Sequence, residues 1–133
     1  MALYRNTKIL IVDDYLIMLK ITQKCLMTLG VNESNIYLAQ SGARALGLLD
    51  KHKFDLVILD LNMPAMSGNQ LLKTIRSTSN FSHLLVLVIT GEYDKANIQE
   101  TLSNGANSLL IKPFTREKLS QHITIAFASQ QCN

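Results

Sequence analysis

A doubly wound five-stranded parallel sheet, an α/β fold in (βα)5 order, is predicted by three features of this chain. Five short aliphatic runs recur along it, an amphipathic stretch follows each, and four of the five runs end in a charged or hydroxyl side chain. The runs are Ile9–Val12, Ile36–Ala39, Leu56–Leu59, Leu84–Ile89 and Leu109–Ile111. Each is too short for a helix and too apolar for a sheet with one wet face, so these strands are buried on both sides, as in parallel sheets. A right-handed crossover at each step then places helices on both faces.

The helices follow in order. Met18, Ile21, Cys25 and Leu29 step by three and four and predict a first helix buried on that face, with Gly30 as a left-handed stop. Ala45, Leu46 and Leu49 mark a second, opened by Ser41 as N-cap. Leu71, Leu72 and Ile75 mark a third, and Ile98 with Leu102 a shorter fourth before Gly105. Leu119, Ile123 and Phe127 mark the fifth, with Thr115 as its cap and Lys118 three residues on. No internal repeat, linker or low-complexity segment breaks the alternation.

With 133 residues, 47% hydrophobic and 17% charged, the chain has one domain's length and is too apolar to stay disordered. A single domain over 1–133 is expected, its core at about 7–128 and a short polar tail after it. Thirteen Lys and Arg against ten Asp and Glu leave a net charge of +3. The basic residues are scattered, Lys51-His52-Lys53 being the densest cluster, and no aromatics interleave with them, so no direct nucleic-acid partner is expected. Cys25 and Cys132 lack CxxC spacing, and His52, His83 and His122 lack helical metal-site spacing. With no disulfide framework, a reducing cytoplasm is the simpler compartment. The N-terminus has no signal-peptide stretch, and the longest aliphatic run is too short for a bilayer, so no membrane association is expected.

In open α/β sheets the binding crevice lies beyond the carboxyl ends of the strands. Here the first strand ends in Asp13-Asp14, the third in Asp60, the fourth in Thr90 and the fifth in Lys112-Pro113. Singly, each has a plain structural role: a helix cap, the start of a turn, a cap into Gly91, an exposed charge. Together they do not. Three carboxylates at one sheet edge repel unless a cation neutralises them. Oxygen ligands without His or Cys suit a hard cation such as Mg2+. Lys112 adds a compact positive charge for an oxyanion and Thr90 a hydroxyl donor, which makes a site for a phosphoryl group on or beside a carboxylate.

The segments Ile9-Leu-Ile-Val-Asp-Asp14, Phe54-Asp-Leu-Val-Ile-Leu-Asp-Leu-Asn-Met-Pro64 with Ser67-Gly68, Val88-Ile-Thr-Gly91, and Gly105-Ala106 through Leu110-Ile-Lys-Pro-Phe114 closely resemble the receiver domain of two-component response regulators. The resemblance runs over nearly the whole chain, and a single-domain, chemotaxis-regulator-like member fits it best. It implies a flavodoxin-like three-layer sandwich. It also implies that Asp60 is the phosphoacceptor, a nucleophile toward a phosphohistidine, and that Thr90 and Lys112 assist the transfer. Asp14, Asp60 and the backbone carbonyl of Asn62 would hold Mg2+, with Asp13 at the edge of the shell or acting through water. A cis Lys112-Pro113 bond would aim the lysine at the site. Asn62 and Glu92 would flank the path of an attacking water. Such a domain is not an enzyme in the ordinary sense: it catalyses only its own phosphorylation and dephosphorylation.

The implied partners are a histidine kinase or histidine phosphotransfer protein and a downstream protein. The latter would dock on the face of the fourth helix, fifth strand and fifth helix, roughly Lys95 to Phe127, which commonly supports homodimers as well. One residue departs from the pattern. The family usually has Tyr or Phe three residues before the strand-five lysine, where this chain has Leu109. A leucine would stay buried in both states, so switching is expected to rely on the Thr90–Asp94 loop and the helix after it. No sequence argument places Tyr93 or Phe114 as a substitute. Among rival classes, an aspartate-nucleophile phosphatase needs an Asp at position 62, where Asn stands. The glycines Gly42 and Gly47 have a P-loop's spacing, but Leu48-Leu49 replaces its Lys-Ser/Thr. A flavin carrier would need a hydroxyl-rich loop after the first strand. A phosphorylation-independent interaction domain is the remaining rival.

Overall fold

The computed structural model describes residues 5–91 and 95–131. Its five strands are β1 (Ile9–Val12), β2 (Ile36–Ala39), β3 (Leu56–Asp60), β4 (Leu85–Thr90) and β5 (Ser108–Ile111). They form one parallel sheet in the order β2-β1-β3-β4-β5. The helices are α1 (Leu16–Thr28), α2 (Gly42–Lys51), α3 (Gly68–Ser77), α4 (Lys95–Ser103) and α5 (Arg116–Gln131), with a short 3-10 turn at Glu33–Asn35. None of these helices is long and apolar enough to cross a membrane.

Alternation along the strands splits the core into two layers. Ile9, Ile11, Ile58, Leu87, Ile89 and Leu110 point to one face, under Leu19 and Leu26 of α1 and Leu119, Ile123 and Ala126 of α5. Leu10, Val12, Val57, Leu59, Val86 and Val88 point to the other, under Ala45 and Leu49 of α2 and Leu71, Leu72 and Ile75 of α3. Local signals set the helix ends. Ser41 Oγ accepts from Arg44 N, Thr115 Oγ1 accepts from Lys118 N, and Ser67 with Gln70 forms a reciprocal capping box at α3. Gly30 takes a φ of 104°, which ends α1 as its position suggested.

Two helices bury a face other than the one periodicity indicated. In α1 the buried residues are Leu19, Thr22 and Leu26, and Ile21 is 46% exposed. The helix carries apolar residues nearly all round, from Leu16 to Met27, so spacing alone does not single out a side. In α4, Thr101 is fully buried while Leu102 is 47% exposed. Leu109, expected to be buried, is partly buried and packs on the α2–α3 side of the sheet.

Candidate functional site

Chain reversal at the sheet's centre builds the site. β1 lies between β2 and β3, so the connections diverge there and leave a crevice at the carboxyl ends of β1 and β3. Register pairs Val12 with Leu59, which brings Asp13 alongside Asp60. Asp60 pairs with Ile89, one residue before Thr90, and the Lys112 N–H donates to the Thr90 carbonyl at 2.8 Å. Four distant segments thus converge on one edge.

The acidic groups are close. Asp13, Asp14 and Asp60 each offer a carboxylate oxygen, all within 4.8 Å of one another. Asp13 and Asp60 are both only 5% exposed. Lys112 Nζ reaches into the cluster, 3.3 Å from Asp60 Oδ1 and 3.6 Å from Asp13 Oδ2. Asp13 Oδ1 meanwhile accepts from Tyr15 N at 3.0 Å, so this residue braces the entry to α1 and serves the acidic cluster with its other oxygen. The Lys112–Pro113 bond is cis, and Lys112 Nζ lies within the acidic cluster.

One lysine against three carboxylates leaves a deficit of positive charge. Burial is the largest influence on Asp60 and holds its pKa above 3.8, opposed by Lys112 and reinforced by Asp13 and Asp14. Asp14 Oδ1 is buried with no hydrogen-bond partner. An orphaned carboxylate oxygen beside two buried carboxylates is what an oxygen-ligated divalent cation satisfies, so the residues fit such an ion.

Thr90 is fully buried at the end of β4. Asn62 lies exposed in the loop after β3. Glu92, Tyr93 and Asp94, and with them most of the loop expected to carry the switch, lie outside the described residues. Phe114 packs on the α1–α5 side of the sheet, the face opposite Leu109.

Sequence reasoning gave Gly68 no role, though backbone meets backbone closely there. The Gly68 N–H donates to the Leu61 carbonyl at 2.8 Å. A Cβ at Gly68 would collide with the backbone carbonyl oxygen of Asp60 and lie 2.6 Å from Leu61 Cα. Backbone cannot move aside as a flexible side chain does. Gly68 is the first residue of α3, where Ala gains less than the roughly 1 kcal/mol of a helix interior, while Gly68→Ala would lose about 1–3 kcal/mol to overpacking. We expect net destabilisation in urea melts and weaker divalent-ion binding, because the collision pushes on Asp60 itself. Unchanged ion affinity would show that the strain relaxes away from the site.

Known proteins place this geometry. The response regulator receiver domain family matches residues 9–124. The chain belongs to that family. CheY-3, a chemotaxis protein of Vibrio cholerae, is 42% identical over 125 residues, covering 94% of this chain and 95% of CheY-3. The chemotaxis protein CheY of Pseudomonas aeruginosa is 38% identical over 120 residues, 90% of this chain and 95% of that protein. Among solved structures, CheY4 of Vibrio cholerae superposes with a TM-score of 0.82 at 31% identity, covering 90% of this chain and 98% of CheY4. A CheX–CheY complex from Borrelia burgdorferi with BeF3 and Mg2+ gives 0.83 at 28% identity, covering 91% and 89% of the two chains. This receiver is therefore homologous to CheY response regulators and is a phosphoacceptor signalling domain of two-component systems. Its strand order is the flavodoxin-like one for which CheY itself is a standard example.

Proposed function

We propose that Asp60 of this receiver accepts a phosphoryl group from a phosphohistidine on a histidine kinase or phosphotransfer protein. The observation that carries this reading is the convergence of Asp13, Asp14 and Asp60 around Lys112, with Asp14 Oδ1 buried and unpartnered. Asp60 supplies the attacking oxygen: an O–P bond forms as the P–N bond to the donor imidazole breaks. Lys112, paired with Asp60 at rest, follows the charge onto a phosphoryl oxygen. Thr90 donates its hydroxyl to another phosphoryl oxygen. Asp14, Asp60 and the carbonyl of Asn62 would hold Mg2+, with Asp13 at the edge of its shell or acting through water, and the ion would offset repulsion between carboxylate and phosphoryl group. Position and charge are most of what such a transfer needs, so the domain acts on itself and turns over no separate substrate.

Residues 1–133 are read as one receiver domain working in the cytoplasm, its output a protein contact on α4, β5 and α5. Leu102 of α4 and Ile125 of α5, 47% and 49% exposed, support that face. The same face would serve a second copy or a downstream protein, and the Borrelia CheY bound to CheX is a relative seen with a protein partner.

Incubation with acetyl phosphate, with and without Mg2+, tests the reading by intact mass. The expected result is a gain of one phosphoryl group that requires Mg2+ and maps to the peptide containing Asp60. No gain in the folded, Mg2+-loaded protein would favour an interaction domain that works without phosphorylation.

A further inference from the structure

A hollow of about 640 Å3 opens at the amino-terminal end of β3 and β4, the pole opposite the acidic cluster. Its walls come from the turn before β3, the turn before β4, and α5. The volume lies within the roughly 300–1,000 Å3 of small-molecule clefts.

The lining is unlike the rest of the chain. The sequence has four phenylalanines and three histidines. Three of those phenylalanines (Phe54, Phe81, Phe127) and two of those histidines (His52, His83) line this one hollow. The three rings are half-buried, leaving apolar area open. Tyr37 backs one of them, its ring 5.3 Å from that of Phe54, edge-on, and 4.7 Å from the His52 ring. Lys8 Nζ lies 5.1 Å over Tyr37 and 5.8 Å over Phe54, which steadies both rings.

The Lys51-His52-Lys53 cluster, idle in the phosphoryl site, forms part of this wall. Among the described residues neither lysine is in a salt bridge. Of the two acids lining the hollow, Asp50 and Asp55, the second already accepts the Lys8 backbone N–H at 2.8 Å. Among the described residues the hollow's His and Asp groups form no metal-ligand cluster.

We propose that this hollow is a second binding site, for a planar aromatic anion of mononucleotide size. The open rings give the flat part an apolar face, and Lys53 with His83 takes the anionic group. The site is independent of phosphoryl transfer at the other pole.

Adenosine monophosphate is the probe, followed by backbone amide NMR of the full chain with divalent ions chelated. Adenosine and inorganic phosphate are run beside it. Saturable shifts at residues 51–55 and 80–85 are expected, with either fragment alone binding more weakly than the nucleotide. Lys53→Glu with His83→Glu should weaken binding on the order of tenfold or more, about 1.4 kcal/mol. The amide spectrum outside this pole should stay unchanged, as should phosphoryl uptake with Mg2+ restored. Phe81→Leu, a milder change, should weaken nucleotide binding and leave phosphate binding as it was. The proposal is overturned by no saturable shift at millimolar nucleotide, by shifts centred on Asp13 and Asp60, or by an affinity that ignores the double substitution. Adenosine binding as tightly as the nucleotide overturns the anionic half, and phosphate doing so overturns the aromatic half.

Discussion

Asp60→Asn is expected to abolish phosphoryl uptake while making the metal-free protein more stable at neutral pH. The first effect is loss of the attacking oxygen: the amide keeps the shape of the carboxylate and not its nucleophilicity. The second follows from burial. The Asp60 carboxyl is 5% exposed, and burial, Asp13 and Asp14 together outweigh Lys112 and raise its pKa above 3.8. Native protein therefore binds this proton more tightly than unfolded chain does. Between 3.8 and the native pKa the folded state carries the extra proton, so stability falls as pH rises through that window. Above the native pKa the charged carboxylate carries its full burial cost. Removing the charge should relieve that cost and raise Tm in chelator at neutral pH. Lys112 then still has Asp13 at 3.6 Å. The gain should shrink toward pH 4 and be narrowed by Mg2+, which stabilises the wild type more than the variant. Thermal melts in chelator and in Mg2+, at neutral and acid pH, read all of this. A variant less stable than wild type in chelator at neutral pH would show that the Lys112 pairing outweighs the burial cost.

Arg76→Ala should give the largest loss of stability, about 3–4 kcal/mol. The Arg76 guanidinium, half-buried at the end of α3, has no carboxylate partner among the described residues. It donates instead to the Gly105 carbonyl at 2.6 and 3.0 Å, to Ser82 O and Asn107 Oδ1 at 2.9 Å, and to Leu84 O. Asn107 Oδ1 also accepts Val86 N at 2.8 Å, tying the clamp to β4. Burial lowers the arginine's pKa from its ordinary value, the cost of holding a cation among neutral acceptors. Truncation takes this donor from the Gly105, Ser82 and Leu84 carbonyls and opens a void. Arg76→Lys should rescue only a small part, since a single ammonium cannot span the fork's partners. Urea denaturation reads the loss. Amide exchange at Gly105 to Asn107 should accelerate in step, and if it does not, the turn between α4 and β5 is held by something else.

Much of this was legible in the chain because parallel strands buried on both faces leave polar residues only at their ends. Ile9–Val12 and Leu56–Leu59 are strands for that reason, and Asp13, Asp14, Asp60 and Lys112 meet for the same one. Caps such as Ser41 and Thr115 are equally local, since the groups they satisfy lie three residues away. Other features depend on residues far apart in sequence. The buried face of α1 was decided by the sheet and α5, because its own apolar residues do not choose a side. Thr101 is buried in place of Leu102 because of how α4 seats on β5, which no spacing in α4 encodes. Arg76 and Gly105 are 29 residues apart, and Phe54, Phe81 and Phe127 come from three separate segments. Residue pattern determined the strands, the helix caps and the acidic edge, since each is a matter of neighbours along the chain. Only the tertiary structure decided which helix faces turn inward, what Arg76 clamps and where the aromatic rings gather, because those energies arise between surfaces that exist only once the sheet has formed.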